Sequence, residues 1–442
     1  MTALAFAALP GAQTSRNLIH IEGGAKPSIA VPDFRGSGQA QALMDGFNTA
    51  LSDALRDSGQ FNMVPKTAMP LKVPQQPSDF QPPSGERSQG PWLTDWSAPP
   101  ANANYLAFGY TAIQNGEFAL FGWLYDVRQS DTHNAQLIGK VYLGSVDAAG
   151  SKNVAQQFAA DILRNFGAGS LIGSKIYFVS DRTGHKEIWS MDYDGSNQKQ
   201  ITDFRSITTF PVVSPDGAKL AFTTYFHGRP EIFMHSLESG RRLPFYNQSA
   251  SMNAASDFTP DSKRLIFYST AADSFSQIYM ADTDGGNFHR VSATRSIEVE
   301  PKMNPKGTSY VFVSGRSGMP QIYTMNTDGV DVSRLTTGEG EAVNPAWNPD
   351  GAHIAFAWTR GFEPGNYNIF VMDVTSREFQ QLTHGVGRNE NPSWAPDGVH
   401  IVYSSRRGKT NQIWTMLADG TGAHQLTTQG ANEKPVWSKA AN

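Results

Sequence analysis

The chain has 442 residues, no cysteine and a formal net charge of −4 at pH 7, with 39% hydrophobic and 17% charged residues. This length predicts at least two domains, and the composition is typical of a folded protein rather than a disordered one. The charge gives no support for nucleic-acid binding, the lack of cysteine excludes disulfides and thiol catalysis, and no apolar run is long enough to span a membrane.

The first twelve residues are predicted to be the remnant of a signal peptide. An apolar stretch there runs into small residues that resemble a cleavage region near Ala12. The basic start of a typical signal is missing, because the first positive charge is Arg16. We favour a shortened signal sequence, and the alternative is an unstructured terminus.

Residues 13–168 mix helix and strand patterns, which predicts an α/β domain. Apolar residues spaced by three and four positions from Leu43 to Leu55 predict a helix, and Gly59 is placed to end it. A segment rich in proline, glutamine and serine at 65–100 is predicted to lack regular structure. The other predicted elements are strands at 28–34, 61–64, 105–110, 118–125 and 136–143, and a helix at 154–166.

From about residue 171 the chain repeats itself, and each repeat contains a turn similar to Pro-Asp-Gly. The prolines of these turns are 45, 45, 44 and 47 residues apart, and they are Pro215, Pro260, Pro305, Pro349 and Pro396. Each repeat reads as four short strands, and in most repeats the fourth strand ends in Leu-Thr. Repeats of roughly 40–50 residues made of four strands are typical of β-propeller blades.

The two ends of the repeat region predict a closed ring of six blades. Residues 175–180 read as the second strand of a blade whose first strand is missing. Residues 435–438, Pro-Val-Trp-Ser, read as that missing first strand. Pairing the two closes the ring and removes exposed edges, whereas an open stack of hairpins leaves two edges bare. Residues 169–442 are therefore predicted to form a six-bladed β-propeller closed by a C-terminal strand.

The sequence contains no motif for catalysis or for a cofactor. The G-x-S-x-G, H-E-x-x-H, Walker A and G-x-G-x-x-G patterns are all missing. None of the ten histidines is paired with another at metal-ligand spacing, and the repeated Asp-Gly pairs are explained by their turns. The sequence therefore predicts no enzyme, no cofactor and no metal held by these residues.

The loops before the first strand of each blade are predicted to line one mouth of the central channel. Carboxylates in these loops would favour a cation or a basic patch on a partner, and a metal ion on the channel axis is an alternative. An ordinary solvated rim is the other explanation for each single residue. The residues predicted at the mouth are Glu298, Glu300, Glu339, Glu341, Glu390 and Glu433, with Asn253, Asn344, Asn391 and Phe210.

The chain resembles the TolB family over nearly its whole length. The resemblance is carried by Ile-His-Ile at 19–21, Lys-Pro-Ser-Ile-Ala-Val-Pro-Asp-Phe at 26–34, Leu-Tyr-Asp-Val at 124–127 and Ile-Tyr-Phe-Val-Ser at 176–180. The Pro-Asp-Gly repeats occur in many propellers. Their combination with this N-terminal domain and with six-blade closure is what makes the resemblance specific.

The resemblance implies a non-enzymatic role in the Tol–Pal system of the Gram-negative periplasm, supporting outer-membrane integrity and envelope constriction in cell division. It implies that the propeller binds the lipoprotein Pal, that the N-terminal segment binds TolA, and that other outer-membrane proteins are further partners. The residues implied for TolA are Gln13, Thr14, Ser15, Arg16, Asn17, Leu18 and Ile19. The residues expected for Pal are Phe210, Met252, Asn253, Ala254, Ala255, Glu298, Val299, Glu300, Glu341, Asn344, Glu390, Asn391 and Glu433.

The contact loop of the family is matched only in part, and two other functions stay open. Where the family often has His-Asn-x-Ala-Pro, this chain has Met-Asn-Ala-Ala-Ser at 252–256, so the detailed contact differs. Glu300, in Val-Glu-Pro, is the residue we most expect at the interface. The alternatives are a generic peptide- or carbohydrate-binding propeller and the accessory propeller of a peptidase. Aromatic residues facing the channel would favour the former, but Trp347, Trp394 and Trp437 are attributed to blade packing.

Overall fold

The computed structural model describes residues 26–81, 91–129, 132–166, 171–272, 274–361, 365–385 and 387–439. The predicted signal-peptide remnant at 1–12 and the predicted domain boundary at 168–169 lie outside these ranges. Within them, a mixed α/β unit precedes six four-stranded sheets, which confirms the predicted fold class. No helix in the described ranges is long and apolar enough to cross a membrane.

The N-terminal unit is one sheet with two long helices on one face. Its strands are β1 (Ser28–Ala30), β2 (Arg35–Gly36), β3 (Asn62–Met63), β4 (Tyr105–Gln114), β5 (Glu117–Asp126) and β6 (Gln136–Gly144). Its helices are α1 (Met44–Asp57), α2 (Thr132–Ala135) and α3 (Ala148–Asn165). The sheet order is β3-β1-β4-β5-β6, with β2 paired to β4. The short strands pair in parallel, whereas β4, β5 and β6 form an antiparallel meander.

The helices form where the apolar spacing predicts them. Phe47 and Leu51 of α1 are buried in one cluster with Phe158 of α3 and with the sheet. α3 begins earlier than predicted, because the Asp147 carboxylate accepts a hydrogen bond from the N–H of Gly150 at 2.7 Å and caps the helix. Position 150 requires glycine, since a Cβ there would lie 2.1 Å from the Ser145 carbonyl oxygen.

The proline-rich segment covers the other face of the sheet. Phe80 and Trp96 of this segment are buried in a cluster with Phe108 and Tyr125 of the sheet. Its regular structure in the described ranges is limited to three short 3-10 helices, at Lys66–Ala68, Pro77–Asp79 and Leu93–Asp95. The segment therefore lacks long elements, as predicted, and its buried side chains complete the core on this face of the sheet.

The propeller has six blades, numbered here along the chain with the split blade first and with the innermost strand of each blade given first. Blade 1 is β30 (Asn432–Trp437), β7 (Lys175–Ser180), β8 (Glu187–Asp192) and β9 (Lys199–Gln200), and blade 2 is β10 (Thr208–Val213), β11 (Lys219–Thr224), β12 (Glu231–Ser236) and β13 (Arg242–Leu243). Blade 3 is β14 (Asn253–Phe258), β15 (Arg264–Ser269), β16 (Gln277–Asp282) and β17 (His289–Arg290), and blade 4 is β18 (Glu298–Met303), β19 (Ser309–Ser314), β20 (Gln321–Asn326) and β21 (Ser333–Arg334). Blade 5 is β22 (Ala342–Trp347), β23 (His353–Trp358), β24 (Asn368–Asp373) and β25 (Phe379–Gln381), and blade 6 is β26 (Arg388–Trp394), β27 (His400–Arg406), β28 (Gln412–Leu417) and β29 (His424–Gln425).

The C-terminal strand closes the ring, as predicted. β30 pairs antiparallel with β7, and Trp437 lies opposite Ile176. The indole N–H of Trp437 donates to Ser174 Oγ at 2.9 Å, and its ring is buried with Ala395 of blade 6. One side chain therefore joins the end of the chain both to its own blade and to the preceding one.

A buried hydroxyl after the fourth strand explains the recurring Leu-Thr. In five blades this hydroxyl oxygen accepts a hydrogen bond of 2.8–2.9 Å from the backbone N–H of an isoleucine in the third strand. The same hydroxyl donates a hydrogen bond of 2.5–3.1 Å to the side-chain oxygen of the Glu, Gln or Asn that precedes this isoleucine. These hydroxyls belong to Thr202, Ser292, Thr336, Thr383 and Thr427. In blade 2 the amide of Asn247 takes this place and bonds the backbone of Ile232.

The two faces of the propeller carry different parts of the chain. Because the blades are antiparallel, the loops that lead into first strands and the loops between second and third strands share one face, here termed the mouth face. The Pro-Asp-Gly and Asp-Gly turns lie on the opposite face, the turn face. The N-terminal unit contacts the turn face, where Lys152 Nζ lies 2.7 Å from Asp194 Oδ2 and His400 Nε2 contacts the carbonyl oxygen of Asp57.

Candidate binding site at the mouth of the propeller channel

A β-bulge in each inner strand sets the residues that line the channel. Pairing with the second strand shifts register in the middle of β10, β14, β18, β22, β26 and β30. In five of them a proline follows a residue whose φ is 52–54°, and this left-handed backbone turns the side chain toward the axis. The six bulge residues, here termed the mouth ring, are Phe210, Ala255, Glu300, Asn344, Asn391 and Lys434.

One half of the mouth ring is joined by hydrogen bonds between neighbouring blades. The backbone N–H of Asn344 donates to Glu300 Oε2 at 2.7 Å, and its side-chain Nδ2 donates to Oε1 at 2.9 Å. Asn344 Oδ1 accepts the N–H of Asn391 at 3.3 Å. Both oxygens of the Glu300 carboxylate are therefore held in one orientation by the next blade.

The other half of the ring is cationic and aromatic. Lys434 Nζ lies 4.3 Å from the centre of the Phe210 ring, a cation–π contact between blades 1 and 2. Phe210 packs edge-on against Tyr268 of β15, with ring centroids 6.1 Å apart. Burial raises the pKa of Tyr268, and the charge of Glu300 adds to the effect, so the phenol stays protonated at neutral pH.

The channel has a volume of about 400 Å³, and its lining also includes the charged side chains of Asp257 and Lys302. Asp257 of β14 accepts the N–H of Met303 at 2.8 Å, and Lys302 of β18 bonds the carbonyl oxygen of Ser256. Burial raises the pKa of Asp257, while the charge of Lys302 opposes that rise. Both side chains thus connect blades 3 and 4 inside the channel.

The channel is not acidic, contrary to the expectation from the sequence. Its lining includes the carboxylates of Asp257 and Glu300 and the ammonium groups of Lys302, Lys434 and Lys439. These charges are mixed, so the lining has no strong preference for a cation or for a basic patch. Of the six carboxylates predicted at the mouth, Glu300 is the one that lines the channel.

Three of the residues predicted at the interface are buried inside blades. Glu298 is fully buried, accepts the hydroxyl of Ser314 at 3.0 Å and lies 3.0 Å from Arg316. Burial raises the pKa of Glu298, against the effect of Arg316. Asn253 accepts the hydroxyl of Ser269 at 2.7 Å, and Ala254 is fully buried. These positions precede the bulge and point into the blade, so the prediction that they contact a partner is wrong.

Three further carboxylates predicted at the mouth, those of Glu341, Glu390 and Glu433, are half-buried and do not line the channel. Each of them contacts another side chain of the propeller. The contacts are the Tyr367 hydroxyl to Glu341 at 2.5 Å, Arg388 to Glu390 at 2.5 Å, and Lys186 to Glu433 at 2.6 Å. Burial raises the pKa of Glu390, although its ion pair acts in the opposite direction. These carboxylates are therefore less available to a partner than the sequence suggested, whereas Glu339 is exposed.

Met252 and Val299 are half-buried beside the ring without lining the channel. The backbone N–H of Met252 donates to Thr270 Oγ1 at 3.1 Å, which holds the loop before β14. Val299 packs into the core shared by blades 4 and 5. Both flank the mouth, and their contact with Pal stays a prediction.

Sequence reasoning missed five groups that line the channel, namely Lys434, Lys439, Tyr268, Asp257 and Lys302. A signal existed for Lys434, because it precedes a proline at the position that Glu300 occupies in its own strand. Tyr268 lies in a second strand, where nothing in the repeat distinguishes it from buried aromatic residues. Asp257 and Lys302 follow the bulge, whose effect on side-chain direction the sequence does not reveal.

The recurring tryptophans Trp347, Trp394 and Trp437 all line the channel wall. Trp394 and Trp437 are buried, and Trp347 is half-buried with its indole N–H donating to the Lys302 carbonyl at 3.1 Å. Each also packs in a core between blades. Because they line the channel as well, a peptide- or carbohydrate-binding propeller stays an alternative. In the described ranges, no three His, Asp or Glu side chains are grouped so as to hold a metal ion. The residues implied for TolA, 13–19, lie outside the described part of the chain.

Residues 166–439 match the family described as the TolB beta propeller domain. The Protein TolB homolog of Chlorobium luteolum is 31% identical over 285 residues, which are 64% of this chain and 60% of the relative. The Tol-Pal system protein TolB of Bordetella pertussis is 28% identical over 299 residues, which are 66% of this chain and 61% of the relative. The chain therefore spans 60% and 61% of the lengths of these two relatives.

Solved structures agree in fold. TolB from Acinetobacter baumannii is similar over 94% of this chain and 97% of its own, with a TM-score of 0.74 and 23% identity. A chain of the nidogen/laminin complex is similar over 61% of this chain and 100% of its own, with a TM-score of 0.51 and 12% identity. Since the family match covers more than half of its residues, the chain belongs to the TolB family.

Proposed function

We propose that this protein is a non-enzymatic scaffold of the Tol–Pal system in the periplasm. In this role it binds Pal at the mouth ring and TolA through residues 13–19, with other outer-membrane proteins as further partners. Membership of the TolB family and a relative named Tol-Pal system protein TolB support the proposal. Such a scaffold supports outer-membrane integrity and the constriction of the envelope in cell division.

The observation that carries the proposal is the fixed carboxylate of Glu300 in the mouth ring. Its two oxygens are held by Asn344 before any partner arrives, so little side-chain freedom is lost on binding. Around it lie amides, an ammonium group and aromatic rings in the same plane of the propeller. A rigid set of mixed groups suits the varied surface of a folded protein.

A catalytic role has less support from the same residues. Among the described residues that line the channel there is no histidine to act as a general base. Asp257 and Lys302, which have the charges that acid–base chemistry needs, are bonded to backbone groups of the neighbouring blades. Binding is therefore the function that this geometry supports best.

Calorimetric titration with the soluble domain of Pal tests the proposal. We expect saturable binding to the full chain and about tenfold or greater weakening by Glu300→Ala. Glu238→Ala is the matched control, because Glu238 is an exposed carboxylate in a turn of the turn face. If no heat of binding is measured at high concentration, Pal is not the partner of the propeller, and the partner is unidentified.

The TolA part is tested separately. Deletion of residues 13–19 is expected to abolish binding of the TolA C-terminal domain while leaving the affinity for Pal unchanged. Retained TolA binding after this deletion would remove that part of the proposal and leave the Pal part intact.

A further inference from the structure

The mouth face carries five large apolar side chains that are 40–52% exposed in the described ranges. They lie in loops of three consecutive blades, 2, 3 and 4, and are Ile207, Phe226, Phe275, Ile297 and Met319. Tyr246, in the loop before β14, is not among them, because its N–H bonds the carbonyl oxygen of Asp284 in a turn of the turn face. On the mouth face of blades 5, 6 and 1, no described residue is an exposed large apolar side chain. We refer to these five residues as the apolar arc.

One structurally equivalent position can be compared in all six blades, and the comparison shows that the propeller fold does not require the apolar residues of the arc. In five blades this position is the residue just before the inner strand, and its carbonyl accepts the N–H of the residue after the second strand. In blade 6 it is the first residue of β26, which pairs with Arg406. The position holds a large apolar residue in blades 2, 3 and 4, a charged residue in blades 5 and 6, and alanine in blade 1. In blade order the six residues are Ile207, Met252, Ile297, Glu341, Arg388 and Ala431.

Two residues of the arc, Phe226 and Ile297, rest on structure beneath them. The ring of Phe226 lies 5.4 Å from that of Phe204, which belongs to the core between blades 1 and 2. Ile297 lies over Gly315, where an added Cβ would be 2.9 Å from Ile297 Cγ1. A set of supported apolar side chains on one side of a face is typical of a protein-docking surface.

We propose that the apolar arc is the main docking surface for the partner at the mouth. Resting on the function proposed above, this means that Pal covers blades 2, 3 and 4 with an apolar patch and leaves the mouth face of blades 5, 6 and 1 in water. Ile207 and Ile297 of the arc lie three residues before Phe210 and Glu300 of the mouth ring, at the start of the same inner strands. Because the charges in the channel are mixed, burial of the arc supplies binding energy that the ring lacks.

A folded protein fits this surface better than a lipid bilayer does. The arc borders a concave mouth, and a flat bilayer surface cannot follow that shape. Insertion of the arc would also bring the carboxylate of Glu300 toward the acyl chains without a compensating charge. A protein partner can instead place a hydrogen-bond donor opposite Glu300.

Two double variants test the arc with matched chemistry. Ile207→Ser with Ile297→Ser removes two β-branched side chains of the arc that are 52% and 40% exposed. Val330→Ser with Val332→Ser removes two β-branched side chains of the turn face that are 54% and 39% exposed. The affinity of each variant for the soluble domain of Pal is measured by calorimetry, beside the wild type and Glu300→Ala.

The arc variant is expected to raise the Kd for Pal about tenfold or more, and the turn-face variant to stay within about twofold of wild type. If Glu300→Ala weakens binding but the arc variant does not, the arc proposal is overturned and the proposed function stands. If the wild type does not bind Pal, both fail. If the arc variant keeps its Pal affinity but no longer sediments with phosphatidylethanolamine–phosphatidylglycerol vesicles that the wild type binds, the arc is a membrane surface and the proposal is overturned.

Discussion

Glu300 and Asn344 are joined by two hydrogen bonds, of 2.7 and 2.9 Å, that cross from blade 4 to blade 5. Asn344 presents its backbone N–H to the carboxylate because its φ is 54°, a left-handed value that asparagine tolerates better than most residues. The orientation of the carboxylate at the mouth is thus set by the neighbouring blade as well as by its own strand.

Replacement of Asn344 by glycine is expected to weaken Pal binding without loss of folding. Glycine keeps the left-handed backbone and the N–H bond to Glu300, but removes the bond from Nδ2 to Glu300 and the longer bond from the Asn391 N–H to Oδ1. We expect affinity to fall by about threefold to tenfold, which corresponds to an ordinary hydrogen bond of about 0.5–1.5 kcal/mol. Asn344→Ala should show the same loss of affinity, with about 1 kcal/mol of lower stability from backbone strain. Wild-type affinity of the glycine variant in calorimetry would contradict this role.

Trp437→Ala is expected to destabilise the propeller strongly. The side chain is buried at the closure of the ring and donates to Ser174 Oγ. Its removal leaves a cavity between blades 6 and 1 and should lower the free energy of unfolding by about 3–5 kcal/mol. Urea denaturation followed by circular dichroism measures this value. A loss below about 1 kcal/mol would mean that closure of the ring does not depend on this side chain.

His400 is expected to make stability depend on pH where the two parts of the chain meet. Its Nδ1 lies 2.6 Å from Asp397 Oδ2, and its Nε2 contacts the carbonyl oxygen of Asp57. Both ring nitrogens face acceptors, so the geometry suits the imidazolium ion. Burial alone would lower the pKa of His400, but the bond to Asp397, its charge and the carbonyl outweigh it and raise the pKa.

A raised pKa in the folded state stabilises the protein at low pH. The contribution of His400 is present in full below its unfolded pKa of about 6.5, and it is lost as pH rises through the folded value. We expect His400→Gln to cost about 2 kcal/mol near pH 6 and progressively less toward pH 9. Urea denaturation of both proteins across this range measures the difference. A cost that is constant or grows with pH would contradict a charged His400.

Binding of Pal is expected to depend little on salt and to have a negative heat-capacity change. Exposed ion pairs are screened by salt, whereas burial of apolar surface is marked by a negative ΔCp. If the apolar arc dominates, the Kd should change by less than about threefold between roughly 50 and 500 mM NaCl. Calorimetry at several temperatures gives ΔCp. A steep loss of affinity with salt and a ΔCp near zero would indicate docking by charge.

The blades were predictable because the same residue types recur at equivalent positions of the repeats and have the same structural role in each. The prolines after the bulges, the Asp-Gly turns and the Leu-Thr hydroxyls recur at fixed spacing, and each has one local structural role. The lone C-terminal strand was assigned because a blade without it would leave an edge bare. The start of α3 was placed late, because Asp147 caps a first turn whose small residues carry no apolar pattern.

The candidate site was less predictable, because a bulge changes side-chain direction. Glu298 and Glu300 are two positions apart, which in a regular strand places both on the same side. The left-handed backbone at Glu300 breaks this alternation, so one carboxylate enters the channel and the other is buried in the blade. Glu433 forms an ion pair with Lys186, which is far from it in sequence. This ion pair and the exposure of the arc both depend on contacts between distant loops, so no local sequence pattern predicts them.

Hydrogen–deuterium exchange of the full chain with and without the soluble domain of Pal tests the central claim most directly. The account predicts slower exchange in the loops before β10 and β18 and in the inner strands that hold the mouth ring. The turns at Asp194 and Asp397, on the turn face, should exchange as in the free protein. Protection confined to the turn face, or no protection with saturating Pal, would contradict a Pal-binding mouth.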